Sequence, residues 1–169
     1  FYGRPFRVDG RALVPRPETE ILLEQALKEA PDAKYVLDAG TGSGIIAISY
    51  LLERPASRAV ALDISLDALT LARQNGGQHD VLNRLSLLAS DWLSALGAAQ
   101  FDLILSNPPY LALGESPHLP PTVRDHEPRR ALFAGHDGLA ATRQLLSTLP
   151  PYLALDGPPA FGLGIRQAW

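Results

Sequence analysis

Asn107, Pro108, Pro109 and Tyr110 follow the apolar run Phe101, Asp102, Leu103, Ile104, Leu105, Ser106. A carboxamide, a rigid double-proline turn and an aromatic ring in that order can clamp a flat, uncharged nitrogen, such as an amide or the amino group of adenine. Asn107 can accept a hydrogen bond from the target N–H through its side-chain oxygen. The Pro108 carbonyl, held by the Pro108–Pro109 turn, can accept another, and Tyr110 can pack against the planar group and orient it. The lone pair of an amide nitrogen is delocalised, so a site that reacts at one must hold it in line with its electrophile and stabilise a developing positive charge. Proximity and preorganised dipoles do this better than a strong base.

A second constellation lies upstream, where Asp38, Ala39, Gly40, Thr41, Gly42, Ser43 and Gly44 join an apolar stretch to the next one. Glycines there allow positive backbone dihedrals and let a ligand approach the chain without meeting a β-carbon. The helix start beyond offers amide donors to a carboxylate or a phosphate, so the loop alone leaves the ligand open. About 19 residues after Gly44 comes Asp63, where an acid can accept hydrogen bonds from both hydroxyls of a ribose. The loop reads G-x-G-x-G rather than the dinucleotide pattern G-x-G-x-x-G. Asp38 would repel a pyrophosphate and favour a ligand carrying an ammonium group, as S-adenosyl-L-methionine does. Ser90, Asp91 and Trp92 add an acid for an adenine edge and an indole for its face.

The elements that must position these residues alternate along the chain. Helical spacing of Ile21, Leu22, Gln25 and Ala26, with Pro17 at the start and acids behind it, predicts a helix over 18–30. Apolar strands are expected at 35–39, 58–63, 85–89 and 101–106. Helices are expected at 45–53, at 65–75 with Ser65 as N-cap and an end at Gly76 and Gly77, and at 138–149. Strands that are apolar throughout, alternating with helices, predict a mostly parallel sheet covered on both faces. Of the 15 prolines, 13 cluster in three stretches, 5–17, 108–128 and 150–159, which are expected to be loops.

Composition narrows the function classes. A chain of 169 residues, 46% hydrophobic and 20% charged, reads as one domain with its own core. A net charge of -3 without a Lys/Arg block disfavours nucleic acid as a partner. The absence of cysteine removes disulfides, thiolate nucleophiles and cysteine-based zinc sites. His79, His118, His126 and His136 lack metal-ligand spacing, so no metal is expected. No apolar run reaches the roughly 20 residues of a membrane helix, and no signal segment opens the chain, so a cytoplasmic location is expected. A start at Phe1, no methionine and an end at Trp169 read as a piece of a longer protein.

Taken together these motifs resemble the class I S-adenosylmethionine-dependent methyltransferases, and among them the protein-(glutamine-N5) methyltransferases of the HemK/PrmC type that modify peptide chain release factors. The resemblance runs through Phe1 to Gly3, Leu13 to Glu20, Asp38 to Gly44, Asp63, Ser90 to Trp92, Asn107 to Tyr110, Glu127 and Pro128, Ala131 and Leu132, and Asp137 to Leu139. It implies a Rossmann-like catalytic domain over 1–169 with S-adenosyl-L-methionine as cofactor. Gly40, Thr41, Gly42, Ser43 and Gly44 would hold its methionine part, Asp63 its ribose and Trp92 its adenine region, with Asn107 touching both cofactor and substrate. Asn107, Pro108, Pro109 and Tyr110 would hold the target glutamine of a release factor.

Asn-Pro-Pro-Tyr is shared with DNA adenine N6-methyltransferases. The acidic balance and the Arg16 to Glu20 segment favour glutamine over adenine, and a release factor over a ribosomal protein. A non-catalytic module that binds the cofactor is the reading from another class. Two departures stand out. The helical N-terminal domain usual in the family has no counterpart before Phe1. The segment Gly157, Pro158, Pro159, Ala160, Phe161, Gly162, Leu163, Gly164 places prolines and a glycine where the family has a strand, so that strand is expected to be weak and the closing hairpin incomplete.

Overall fold

A computed structural model describes residues 1–153 and the strand at 160–163. Its centre is a sheet of five parallel strands, β1 (Tyr35–Ala39), β2 (Arg58–Asp63), β3 (Leu85–Ala89), β4 (Leu103–Ser106) and β5 (Ala160–Leu163), in the order β3-β2-β1-β4-β5. Parallel strands need long crossovers, and helices supply three of them: α2 (Ile45–Glu53) between β1 and β2, α3 (Leu66–Gln78) between β2 and β3, and α6 (Ala140–Thr148) between β4 and β5, while α1 (Pro17–Glu29) precedes β1. The short α4 (Pro121–Arg124) and α5 (Arg129–Leu132) lie between β4 and α6.

Alternation along the strands divides the core in two. Val36, Ala59, Ala61, Leu103 and Leu105 face α1 and α2, whereas Leu37, Leu62 and Ile104 face Leu93, Phe101, Leu145 and Leu149. α2 is buried continuously from Ile45 to Leu51, which only a helix enclosed on all sides permits. The Tyr50 hydroxyl donates to the Ala30 carbonyl at 3.0 Å. On α1 the buried stripe is Thr19, Leu22, Leu23 and Ala26, and Ile21, expected inside, is 57% exposed.

Several expectations need correction. α3 starts as expected, with Ser65 accepting from the Ala68 amide at 3.3 Å, but it runs through Gly76 and Gly77 to Gln78. A β-carbon at Gly76 would lie 2.8 Å from Leu82 Cδ2, so close packing of α3 on the following segment outweighs the helix-breaking preference of glycine. The Pro-rich stretch 108–128, expected to be loop, contains a 3-10 helix at Leu113–His118 and α4, with α5 just beyond. Proline suits the first turn of such short helices, as Pro121 does in α4. β4 begins at Leu103 rather than Phe101, which forms an isolated bridge with Leu153. The last strand does form, pairing Leu103 with Ala160 through Ser106 with Leu163, because its prolines precede it instead of interrupting it. The expected loss of the closing hairpin falls at 164–169, outside the described residues.

Gly44 is the N-cap of α2, with φ 82°, and a β-carbon there would stand 3.0 Å from both Ala72 Cβ and Ile48 Cδ1 and 3.2 Å from Ala72 Cα. Replacement by alanine therefore combines a left-handed backbone with overpacking between α2 and α3. Gly44→Ala is expected to lower stability by about 2–4 kcal/mol, read as a fall in the urea midpoint at unchanged slope.

Candidate active site at the carboxyl edge of the sheet

β1 is flanked by β2 on one side and β4 on the other, so the connections leaving β1 and β4 diverge and open a crevice at their carboxyl ends. Register brings the two sequence motifs together there. Ala39 pairs with Ser106, and the Ser106 hydroxyl donates to the Ala39 carbonyl at 2.7 Å, which sets Gly40 and Asn107 side by side. The crevice is a cavity of about 940 Å³ whose wall includes Gly40, Thr41, Gly42, Ser43, Asp63, Asp91, Trp92, Asn107, Pro108 and Pro109. Two of the expected site residues stand outside that wall. Gly44 faces α3, as described above. Tyr110 is half-buried beside the wall, its carbonyl tight against Gly138, where φ is 72° and a β-carbon has no room.

The glycine loop is held by side chains from three directions. Asp63 accepts from the Gly42 amide at 2.8 Å through one oxygen and from the Ser65 amide at 2.9 Å through the other. Each oxygen keeps a further acceptor position, so the carboxylate can still take two hydroxyl donors from the cavity. Asn75, fully buried in α3, donates to the Ser43 carbonyl at 2.8 Å and the Arg7 carbonyl at 3.0 Å, and accepts from the Arg7 amide at 2.8 Å. It fastens the loop and the amino-terminal segment to one helix. In the sequence Asn75 reads only as a residue near a helix end.

Asp38 acts from behind the loop. Its carboxylate is fully buried, accepts from the Thr41 hydroxyl at 2.7 Å and the Ala47 amide at 3.2 Å, and its other oxygen has no partner among the described residues. It is absent from the cavity wall, and its contacts are with the loop and the start of α2, which it shapes. Burial raises its pKa from 3.8 to about 6, opposed by the bonds from Thr41 and Ala47.

Trp92 belongs to both core and cavity. Its ring packs on the second core cluster and also lines the cavity, 3.7 Å from where a β-carbon on Gly40 would stand. Its φ of 49° is unfavourable for a bulky residue and costs about 1–2 kcal/mol. On the opposite side, Arg11 to Leu13 and Pro15 from the amino-terminal segment, and Pro128, Ala131 and Phe133 from the Pro-rich segment, complete the wall. These two segments are joined by Arg16, whose guanidinium donates to both oxygens of Glu127 at 2.7 and 2.9 Å. His79 takes a structural position, a ring nitrogen 2.9 Å from the Pro5 carbonyl and the ring against Phe6. No helix among the described residues is long and apolar enough to cross a membrane.

Residues 17–118 match the methyltransferase small domain family. The chain is 43% identical to a release factor glutamine methyltransferase of Caulobacter vibrioides and 47% identical to one of Cereibacter sphaeroides, each over 99% of this chain. It spans 59% of the length of each. Among solved structures, the hMettl16 catalytic domain in complex with a MAT2A 3'UTR hairpin superposes with a TM-score of 0.69 at 14% identity, covering 86% of this chain and 56% of that one. That likeness is one of fold.

Because the native state raises the Asp38 pKa, its contribution to stability is fully present below pH 3.8 and is lost as pH rises through about 6. Asp38→Asn removes that titration. From pH 4 to pH 7 the variant is expected to gain about 2–2.5 kcal/mol relative to the unsubstituted protein, measured by urea unfolding across the range.

Proposed function

Since this chain belongs to the methyltransferase small domain family, we propose that it transfers a methyl group from S-adenosyl-L-methionine to the side-chain amide nitrogen, N5, of a glutamine in a peptide chain release factor. The observation that carries the reading is the placement of Asn107 against the glycine loop in one cavity, pinned by the Ser106 bond to Ala39. The names of the relatives support the substrate, and the net charge of -3 supports a protein over a nucleic acid.

The residues present fit the cofactor. Gly40 is exposed and faces the Trp92 ring without a β-carbon, Asp63 at the end of β2 retains two acceptor positions, and Asp91 stands exposed beside Trp92. S-adenosyl-L-methionine supplies an electrophilic methyl on a sulfonium. The chain supplies the rest. Gly40 to Ser43 bind the amino-acid end, Asp63 the ribose hydroxyls and Trp92 the adenine region. Asn107 accepts a hydrogen bond from the glutamine N–H, and the Pro108 carbonyl accepts the second, so the nitrogen is held in line while positive charge grows on it. When bound, the cofactor would give up the methyl and leave as a thioether, and the part of this chain is to hold the amide N–H groups at Asn107 Oδ1 and the Pro108 carbonyl until the proton is lost to solvent. Pro109 keeps the turn rigid, and Tyr110, outside the cavity wall, steadies that turn through its backbone contact with Gly138.

Incubation of the chain with methyl-labelled cofactor and a release factor is expected to place label on the glutamine of the factor's Gly-Gly-Gln loop. Asn107→Ala is expected to cut the rate by about 100-fold or more. Label on DNA adenine or on a ribosomal-protein glutamine instead would replace the substrate in this reading. Cofactor binding without transfer to any of the three would leave a binding module.

A further inference from the structure

Thr19 sits in the first turn of α1, 5% exposed, and its hydroxyl oxygen accepts from Asn107 Nδ2 at 3.3 Å. Both residues belong to the cavity wall. A threonine hydroxyl buried at a helix start costs stability unless it is hydrogen-bonded, and its partner here comes from the other end of the sheet's central crevice. The segment that carries it is held on both sides. Arg16 reaches Glu127, whose side chain is 6% exposed, and Glu20 accepts from the Tyr2 amide at 2.6 Å. The Thr19 amide in turn donates to the Arg16 carbonyl at 3.0 Å.

We infer that Thr19 is a positioning residue that sets which end of the Asn107 carboxamide faces the target nitrogen. The inference rests on the functional reading above, in which the target is an N–H donor. A carboxamide has nearly the same shape after a half-turn about its last torsion, so packing alone does not choose between oxygen and NH₂. With Nδ2 bonded to Thr19, Oδ1 is left to accept from the target. The reversed amide would set its own N–H against the target N–H, two donors facing each other. A hydroxyl can also donate, so the choice is made jointly: with an N–H donor in the cavity, only the orientation in which Thr19 accepts satisfies every group. Donation from Nδ2 also makes Oδ1 a stronger acceptor, where charge relief is needed. Valine keeps the shape of threonine and abolishes this choice.

The test compares the unsubstituted chain with Thr19→Val, Thr19→Ala and Thr19→Ser, measuring methyl transfer to a release factor, S-adenosylmethionine affinity by calorimetry, and Tm. Thr19→Val is expected to lower kcat about tenfold or more, with KM for the factor, cofactor affinity and Tm nearly unchanged, and Thr19→Ser is expected to recover most of the rate. If Thr19→Val does not fold, Thr19→Ala against Thr19→Ser makes the same comparison. Equal rates in the valine or alanine variant and the unsubstituted chain overturn the inference. So does a serine variant no better than valine, or a loss of cofactor affinity that accounts for the loss of rate. Failure of the unsubstituted chain to label the factor overturns the functional reading, and this inference with it.

Discussion

The cavity exists because the strand order reverses at β1. In a parallel sheet each strand leaves at the same edge and each crossover has the same hand, so the chain leaving β1 and the chain leaving β4 must part in opposite directions. Nothing in the core can fill the gap between them. The backbone pairing of Ala39 with Ser106, reinforced by the Ser106 hydroxyl, then decides how far each loop projects into it. A shift of one residue in that register would turn Ser106 away from Ala39 and carry Asn107 to the wrong face. The chemistry is therefore set by the sheet before any loop side chain is considered.

Buried polar side chains convert this crevice into a shaped site. Asp38, Asp63 and Asn75 each hold backbone groups of the glycine loop or of the segments beside it, and each comes from a different element. The glycines give the loop its freedom, and these three remove it again. Arg84 has a comparable role at the opposite edge, donating to the carbonyls of Leu51, Arg54 and Ser57 where α2 ends. Those carbonyls lack intrahelical partners, and a cation there also suits the helix dipole. α2, apolar along nearly its whole length, thus has its exposed ends satisfied by groups outside it.

The strands and the two motifs were legible because they follow from short-range rules. Apolar runs of five or six residues ending in glycine or in Asn-Pro admit few conformations, and Ser65 is placed as a cap by residues within one turn. What escaped reading depends on contacts between distant residues. Gly76 and Gly77 look like a helix end until Leu82 is known to lie against them. Asp38 gives no sign in the sequence that it is buried against α2, and Gly44 looks like part of the cradle until α3 is seen against it. The roles of the Thr19 and Asn75 side chains carry no local signal, since Thr19 meets Asn107 across 88 residues and Asn75 meets Arg7 and Ser43 across 68 and 32. Ile21 shows the same limit, because helical spacing names two faces and only packing selects one.

The outer wall of the cavity is built from chain that contributes little regular structure, yet it must be as well defined as the sheet if it is to orient a substrate. Two features supply that definition. Prolines recur through both wall segments, at 5, 15 and 17 and at 108, 109, 117, 120, 121 and 128, and each one reduces the conformations lost on ordering. The segments are also tied to each other, across 111 residues of sequence, by Arg16 and the nearly buried Glu127 carboxylate. A charge in that position is costly to bury alone, so each segment secures the other's place. Thr19, one turn beyond Arg16, inherits this placement and passes it to Asn107. The wall thus reaches Asn107 through side chains, whereas the sheet reaches it through backbone, and the two meet at one carboxamide.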